Sequence, residues 1–259
     1  MEDGGGTMKT AVVTGGNGGL GRALAAGLQE AGWHTVLMDI DTTGLEATAS
    51  QTPIAIDLTN PDQVADAVRQ VVRSRRSIDM VIYNAGITQI GPFSDTPGDT
   101  HRKVFEINYF AAVDMARAFL EPIRASGGVH VAISSVAGFS PLYHRTAYAA
   151  SKHALEGFFS SLRSEEAPHG VMTIIAAPSF VATNIGNDQR QGDGIARPGS
   201  ASDGVDYMTP EAAARILLRG ISKRQDFIPV GRVARLSWWI SRLSPRLFQR
   251  LMERKIRGF

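Results

Sequence analysis

Short apolar runs alternate with longer amphipathic segments along most of this 259-residue chain. The runs predict strands at Thr10–Val13, Thr35–Met38, Ile54–Ile56, Met80–Tyr83, Val129–Ile133, Met172–Ala176 and Phe227–Val230. The segments between them predict helices at Leu20–Ala31, Pro61–Arg73, Gly98–Ile123, Ala147–Ala167 and Pro210–Ser222. Runs that are apolar on both faces are typical of parallel strands covered by helices on each side. We therefore predict an α/β fold with one doubly wound parallel sheet of about seven strands, whose ligand crevice lies at the strand carboxyl ends.

A glycine-rich turn, Thr14–Gly21, follows the first predicted strand and leads directly into the first predicted helix. Glycine allows the backbone to come close to a pyrophosphate, and the helix N-terminus offers free N–H groups and a positive dipole end. Asp39 closes the next strand, where a carboxylate can hydrogen-bond the ribose hydroxyls of an adenine dinucleotide. The turn alone would also fit a flexible connection, but with Asp39 it predicts a nucleotide site.

Tyr148 and Lys152 are four residues apart in a predicted helix and therefore share one face. An ammonium beside a phenol favours the phenolate, so we expect Lys152 to lower the pKa of Tyr148 from its usual value of about 10. Ser135 follows a predicted strand and could hold a carbonyl or alcohol oxygen against the phenol. The group predicts acid/base chemistry, although the Tyr–Lys pair alone would equally fit a surface helix.

The order and spacing of these motifs resemble the short-chain dehydrogenase/reductase family from about Lys9 to Val230. The matching residues are Thr14, Gly15, Gly19 and Gly21 for TGxxxGxG, Asn84, Ala85 and Gly86 for NNAG, Tyr148 and Lys152 for YxxxK, and Pro178–Thr183 for PGxxxT. The resemblance implies a Rossmann-like fold and a nicotinamide cofactor. Two positions depart from the family pattern. Tyr83 replaces the first Asn of NNAG, which we expect to alter packing rather than chemistry, and Ser179 replaces a Gly, which predicts a different or strained turn.

The resemblance also implies a catalytic tetrad, Asn108, Ser135, Tyr148 and Lys152. In the family, the tyrosine exchanges the proton on the substrate oxygen, the lysine lowers its pKa and binds the nicotinamide ribose, the serine orients the substrate, and the asparagine holds a water that links the lysine to solvent. The cofactor contacts that it implies are Thr14, Gly15, Asn17, Gly19, Leu20, Gly21, Asp39, Asp57, Leu58, Asn84, Ala85, Gly86, Tyr148, Lys152, Pro178, Val181 and Thr183.

Charge near the adenosine ribose favours NAD over NADP. The additional phosphate of NADP would approach Asp39, and a carboxylate ~4 Å from one phosphate charge costs about 4 kcal/mol at an effective dielectric of ~20, before screening. Asp41 would add to this repulsion if it lies nearby. Relatives that prefer NADP usually carry Arg or Lys in the glycine turn or just after the second strand, where this chain has Gly18 and Ile40. We therefore expect NAD as the cofactor.

The implied reaction is hydride transfer between NAD(H) and a secondary alcohol or ketone, with alcohol oxidation favoured by the NAD preference. Candidate substrate residues are Phe139, Leu142, Tyr143, His144, Phe180 and Ile185, which would suit a hydrophobic steroid-, lipid- or aromatic-like substrate or simply pack in the core. The alternative function is an NAD-binding sensor or scaffold without catalysis, which membrane contact could accompany. The resemblance implies a homodimer or homotetramer formed through the helices that bear Asn108 and Tyr148.

Three segments are predicted in the domain organisation: a disordered tail at residues 1–8, one domain at 9–230 that includes a substrate loop at 184–209, and a basic helical extension at 231–259. From Arg215 onward there are twelve Arg and Lys residues against two acids. In the extension, Leu236, Leu243, Leu247 and Leu251 form a stripe beside arginines. Such a surface fits peripheral contact with an anionic membrane, or packing on the body or another subunit.

Composition excludes several other classes of site. The chain has no cysteine, which excludes disulfides, a thiol nucleophile and thiolate metal ligands, and we expect no metal site. No secretory signal is recognisable, no apolar stretch reaches the ~20 residues of a membrane span, and we expect a cytoplasmic protein, with any membrane contact peripheral. The basic extension accompanies no recognised nucleic-acid module, so we expect no nucleic-acid partner.

Overall fold

The computed structural model describes residues 8–183, 192–196 and 207–257, with side chains described as far as Leu251. Its strands are β1 (Thr10–Thr14), β2 (His34–Asp39), β3 (Gln51–Ala55), β4 (Met80–Tyr83), β5 (Thr88–Gln89), β6 (Val129–Ile133), β7 (Met172–Pro178), β8 (Ile195–Ala196) and β9 (Phe227–Val230). Its α-helices are α1 (Gly19–Glu30), α2 (Pro61–Ser74), α3 (Thr100–Phe105), α4 (Ala111–Ala118), α5 (Leu120–Ser126), α6 (Thr146–Glu166), α7 (Pro210–Ser222), α8 (Arg232–Leu243) and α9 (Pro245–Arg257).

Seven of the described strands form one parallel sheet in the order β3-β2-β1-β4-β6-β7-β9. Val12 in β1 pairs with Val36 on one side and with Val81 on the other. The strand order reverses between β1 and β4, and a doubly wound sheet opens its ligand crevice at such a switch point. The predicted fold is confirmed.

Two apolar layers fill the space between the sheet and its helices, because alternate residues of each strand point to opposite faces. On one face, Val12 belongs to a cluster with Met115 of α4 and Phe159 of α6. On the other face, Val13 belongs to a cluster that contains Leu24 of α1 and Leu217 of α7. This packing buries β1 completely and fixes the direction in which its C-terminal turn leaves the sheet.

The prediction of one continuous helix at 98–123 is wrong, because the structure divides this segment into several helices. α3 passes into a π-helical turn, Glu106–Phe110, before α4 begins, and α5 starts after a break at Phe119. The break has a local cause, because Pro122 lacks an N–H and its ring would clash with the carbonyl four residues earlier in a continuous helix.

Two strand predictions also differ from the structure. The third strand is Gln51–Ala55 rather than Ile54–Ile56, and its half-exposed residues belong to a strand at the edge of the described sheet, next to β2. The short antiparallel pair β5–β8 was not predicted, and β8 lies within the predicted loop at 184–209. Most of that loop, and nearly all of the predicted tail at 1–8, lie outside the described residues.

The C-terminal helices follow the last strand. Trp238 of α8 stacks on Phe227 of β9 with ring centroids 5.6 Å apart, and Phe248 anchors α9 as a buried side chain. Among the helices in the described ranges, none combines the length and the apolar character needed to cross a membrane.

Candidate active site

A cleft of about 430 Å³ opens at the carboxyl ends of the strands, next to the β1–β4 switch point. Most of the residues predicted from the sequence line it. These are Gly15, Asn17, Gly19, Leu20, Asp39, Asp57, Leu58, Asn84, Ala85, Gly86, Ser135, Leu142, Tyr148, Lys152, Pro178, Phe180, Val181 and Thr183. The parallel sheet brings them together because each follows a strand or begins the helix after it.

Other predicted site residues lie behind the cleft or away from it. Thr14, Gly21 and Asn108 support its wall without lining it. Phe139 makes an edge contact with Phe227 of β9, with centroids 5.9 Å apart. Tyr143 is exposed and stacks on His144. Neither residue lines the cleft. Ile185 lies outside the described residues.

The glycine turn is held by side chains from β1 and from the end of β4. Gly15 has a φ of 62°, and a Cβ there would lie 2.9 Å from the Cα of Ala85. The Asn84 amide donates 3.0 Å hydrogen bonds to the Thr14 and Gly15 carbonyls, and the Thr14 hydroxyl accepts from the backbone N–H groups of Asn84 and Ala85. These hydrogen bonds brace the turn, and the N-terminus of α1 lines the cleft beside it.

Asp39 lies at the end of β2, against the same turn. Its Oδ2 accepts a 2.9 Å hydrogen bond from the backbone N–H of Asn17, and its Oδ1 accepts from the N–H of Asp41 at 3.3 Å. Arg22 donates from Nε to the Asn17 carbonyl at 3.1 Å. The carboxylate is thus fixed in orientation at the cleft wall, with Asp41 beside it on the same wall.

Ser135, Tyr148 and Lys152 meet where β6 ends and α6 begins. Ser135 follows β6 in an extended conformation and hydrogen-bonds the Tyr148 side chain. Lys152 is buried, with 4% of its surface exposed, and its Nζ donates a 2.8 Å hydrogen bond to the Ile133 carbonyl. The Nζ lies 5.9 Å from the centroid of the Tyr148 ring. The structure therefore collects a hydroxyl, a phenol and an ammonium in one wall of the cleft.

The predicted lowering of the Tyr148 pKa is wrong in this structure. Burial raises the pKa of Tyr148, and the hydrogen bond with Ser135 and the positive charge of Arg145 only partly oppose it. Burial also lowers the pKa of Lys152 to about 8, against the negative charge of Glu156. Helical spacing indicates the charge beside Tyr148, but the loss of water around both groups has the larger effect on their pKa values.

Asn108 lies in the π-helical turn between α3 and α4, and such turns often mark functional sites. Its Oδ1 accepts from the backbone N–H of Ile87 at 2.8 Å, and its Nδ2 donates to the Ile87 carbonyl and to Ser151 Oγ. A Cβ on Gly86 would lie 3.2 Å from Asn108 Oδ1 and 3.6 Å from Lys152 Nζ. Asn108 therefore joins the segment after β4 to the helix that carries Lys152.

The two departures from the family pattern have separate structural explanations. Tyr83 is buried, and its hydroxyl pairs with His130 Nδ1 at 2.6 Å, so it acts in packing as predicted. The strain predicted at Ser179 is absent, because Ser179 is not among the described residues with positive φ. The glycine that this turn needs is Gly231, which has a φ of 99° and packs against Ser179. A Cβ at Gly231 would lie 2.6 Å from Ser179 Oγ.

Sequence reasoning missed two charged residues at the site. Arg145 is buried, lines the cleft and precedes Tyr148 by three residues. Glu156 follows Lys152 by four residues, and its Oε1 accepts a 2.6 Å hydrogen bond from Ser134 Oγ. Helical spacing places both on the face of Tyr148 and Lys152, and this signal could have identified them.

Known proteins share both the sequence and the fold. A family model described as short chain dehydrogenase matches residues 9–194. The chain is 32% identical over 262 residues to dehydrogenase/reductase SDR family member 7B of Bos taurus, with 95% of this chain and 81% of that protein covered. The protein of the same name from Xenopus laevis is 31% identical over 257 residues, with 93% and 80% covered.

Solved structures agree in fold. A short chain dehydrogenase from Burkholderia cenocepacia in complex with NADP gives a TM-score of 0.83 at 24% identity, covering 95% of this chain and 98% of that one. A short chain dehydrogenase/reductase from Burkholderia phymatum in complex with NAD gives 0.75 at 22% identity, covering 86% and 88%. With the family match over most of its length, this chain belongs to the short-chain dehydrogenase/reductase family of oxidoreductases.

Proposed function

We propose that this protein transfers a hydride between NAD(H) and a secondary alcohol or ketone, with Tyr148 as the acid/base. The observation that carries the proposal is the meeting of Ser135, Tyr148 and Lys152 in the wall of the cleft that the glycine turn also lines. A glycine turn that suits a pyrophosphate and a phenol that suits proton donation line the same cavity, which supports hydride transfer to a carbonyl.

The residues of the cleft fit a dinucleotide. The braced glycine turn faces the N-terminus of α1, which suits a pyrophosphate, and Asp39 stands at the end of β2, which suits ribose hydroxyls. Related structures were solved with NADP and with NAD, which supports a nicotinamide cofactor in general. We propose NAD because Asp39 and Asp41 line the same wall, where they would repel an additional ribose phosphate.

The cofactor preference is tested with Asp39→Ala. Losing the charge should raise the KM for NAD and lower the KM for NADP. The kcat/KM for NAD divided by that for NADP should therefore fall by roughly 100-fold. Asp62→Ala, an exposed acid at the start of α2, is the matched control and should leave the ratio unchanged. An unchanged ratio in Asp39→Ala would refute the charge argument.

When bound, the nicotinamide would supply or accept the hydride; the protein's own residues manage the proton and the orientation. Ser135, which hydrogen-bonds the Tyr148 side chain, would hold the substrate oxygen against that phenol. The raised pKa keeps Tyr148 as a neutral phenol, which can donate a proton to a ketone oxygen, whereas alcohol oxidation requires the phenolate. We therefore propose ketone reduction near neutral pH, with oxidation increasing as the pH rises, and this replaces the sequence-based preference for oxidation.

The substrate is proposed to be hydrophobic. Apolar side chains that are not among the expected cofactor contacts also line the cleft, and they include Ile87, Ile90, Val136, Leu142 and Phe180. Their contact with a bulky apolar alcohol or ketone would add roughly 25 cal/mol per Å² of apolar surface removed from water. Arg145 on the same wall could meet a polar group of such a substrate.

Turnover of a graded series of ketones and alcohols, from small aliphatic to steroid-sized, tests the activity, with NAD(H) and NADP(H) in parallel. Tyr148→Phe should lose about 10²–10⁴-fold in rate and still bind the dinucleotide. Near-normal turnover by that variant would refute the mechanism. Tight NAD binding without turnover of any member would favour the sensor or scaffold function instead.

We also propose that the C-terminal helices contact an anionic membrane surface. Leu236, Trp239, Leu243, Leu247 and Leu251 remain exposed although Phe248 of the same segment is buried. Exposed arginines accompany this apolar stripe along α8 and α9, and these are Arg232, Arg235, Arg242, Arg246 and Arg250. Apolar and cationic side chains together suit the interface of an anionic bilayer.

Cosedimentation with vesicles tests this contact. The protein should bind vesicles that contain phosphatidylserine more tightly than phosphatidylcholine vesicles, and Leu243→Glu should abolish the difference. Val72→Glu, which changes an exposed apolar residue of α2, is the control. If vesicles are not bound and Leu243→Glu instead dissociates an oligomer in light scattering, the stripe is a subunit interface.

A further inference from the structure

Glu156 is an acid behind the cleft that the proposed mechanism does not use. It follows Lys152 by four residues and Tyr148 by eight, so the three side chains form one row along α6. Glu156 does not line the cleft. Its Oε1 accepts a 2.6 Å hydrogen bond from Ser134 Oγ, and Ser134 is the buried residue between Ile133 and Ser135.

The turn after Ser135 is shaped around this carboxylate. Val136–Gly138 forms a short 3-10 turn packed on α6. A Cβ at Gly138 would lie 2.1 Å from Glu156 Oε1 and 2.2 Å from Ser134 Oγ, so only glycine fits there without displacement. The Glu156–Ser134 pair therefore occupies a space closed by the segment that positions Ser135.

Charged groups approach Glu156 from two helices. Lys152 and His153 lie on its own helix, Arg242 approaches from α8, and the neutral Ser134 approaches from the end of β6. Burial raises the pKa of Glu156, and Ser134 and these three basic residues oppose the rise. Around Lys152, burial lowers the pKa to about 8 and Glu156 acts in the opposite direction.

We propose that Glu156 is a positioning residue for the catalytic pair. Its hydrogen bond to Ser134 fixes the end of β6, which presents the Ile133 carbonyl to Lys152 and the hydroxyl of Ser135 to Tyr148. Its negative charge keeps Lys152 protonated in the dry wall of the cleft. The inference rests on the proposed function for its catalytic consequence, but the protonation of Lys152 can be measured without turnover.

Two variants separate the two contacts. Glu156→Gln keeps an acceptor for Ser134 and removes the charge, so the Lys152 ammonium should titrate about one pH unit lower. The alkaline limb of the pH–kcat profile for ketone reduction should move by the same amount. Ser134→Ala removes the hydrogen bond and keeps the charge, so kcat should fall while the limb keeps its position. Glu165→Gln, an exposed acid on the same helix, is the matched control and should change neither.

Lys152 is one of five lysines, so NMR of lysine labelled with ¹³C at Cε resolves its titration, with the resonance assigned by its loss in Lys152→Met. An unchanged Lys152 midpoint in Glu156→Gln would overturn the inference, whatever the turnover. If the Lys152 midpoint shifts in Glu156→Gln but the wild-type protein turns over no substrate, the electrostatic contact is supported and only the proposed function is refuted. If Glu156→Gln does not fold, Glu156→Asp retains the charge and should keep the wild-type midpoint, and a fall of about one unit there would contradict the charge argument.

Discussion

Replacing Lys152 with methionine should stabilise the folded protein while abolishing turnover. Burial lowers the pKa of Lys152 from 10.5 to about 8, which at about 1.4 kcal/mol per unit corresponds to a penalty of about 3 kcal/mol for holding the ammonium in the fold. Methionine has a similar length and needs no hydration. The change also removes the 2.8 Å hydrogen bond to the Ile133 carbonyl, a loss of about 1 kcal/mol. The free energy of unfolding should therefore rise by about 2 kcal/mol near neutral pH.

The sign of the pH dependence follows from the same pKa difference. Between about pH 8 and 10.5 the unfolded chain binds more protons at Lys152 than the folded protein does, so the stability of the wild type rises with pH. Below about pH 8 both states carry the proton and the full penalty is present. The advantage of Lys152→Met should thus be complete near pH 7 and should disappear by about pH 10.

Urea unfolding followed by tryptophan fluorescence, near pH 7 and near pH 9.5, measures both effects. Lys103→Met is the control, because Lys103 is an exposed lysine paired with Asp99 and Asp193 and its loss should cost less than about 1 kcal/mol. A Lys152→Met protein that is less stable than the wild type near pH 7, or a difference that does not change with pH, would refute the reasoning.

Three further predictions concern groups around the sheet. Tyr83→Phe leaves the buried His130 Nδ1 without its 2.6 Å partner, so the free energy of unfolding should fall by about 1–3 kcal/mol in urea titrations. Burial lowers the pKa of His130 to about 4, so stability should fall by roughly 3 kcal/mol as the pH drops from about 6.5 to 4, and His130→Gln should lessen this fall. A Cβ at Gly21 would lie 2.2 Å from the Gly15 carbonyl oxygen, so Gly21→Ala should weaken dinucleotide binding at least about tenfold in calorimetry, whereas Gly157→Ala, with open space around it, should not.

The sheet and most of the cleft could be predicted because their signals are local in the sequence. Apolar runs mark buried strands, and three of them, Met80–Tyr83, Val129–Ile133 and Phe227–Val230, coincide with the observed strands. Parallel strands carry the residues that follow them to one edge, so the sequence alone predicts Gly15, Asp39 and Ser135 in a common cleft, and all three line it.

Residues in irregular segments were harder to place. Phe139, Tyr143 and His144 stand between Ser135 and Tyr148, and their position in the sequence suggested the cleft. Phe139 instead packs towards β9, and the other two stack on each other. No periodicity sets the direction of a side chain in such a segment, because its neighbours come from distant parts of the chain.

The sequence by itself determined the order of the seven sheet strands along the chain, the glycine turn and the spacing that puts Tyr148 and Lys152 on one face of a helix. Only the tertiary structure decided how those groups behave. Burial raises the pKa of Tyr148 and lowers that of Lys152, whereas spacing alone predicted that the ammonium would dominate. The physical reason is that neighbouring charge can be inferred from helical periodicity, but desolvation depends on every element that packs around the group.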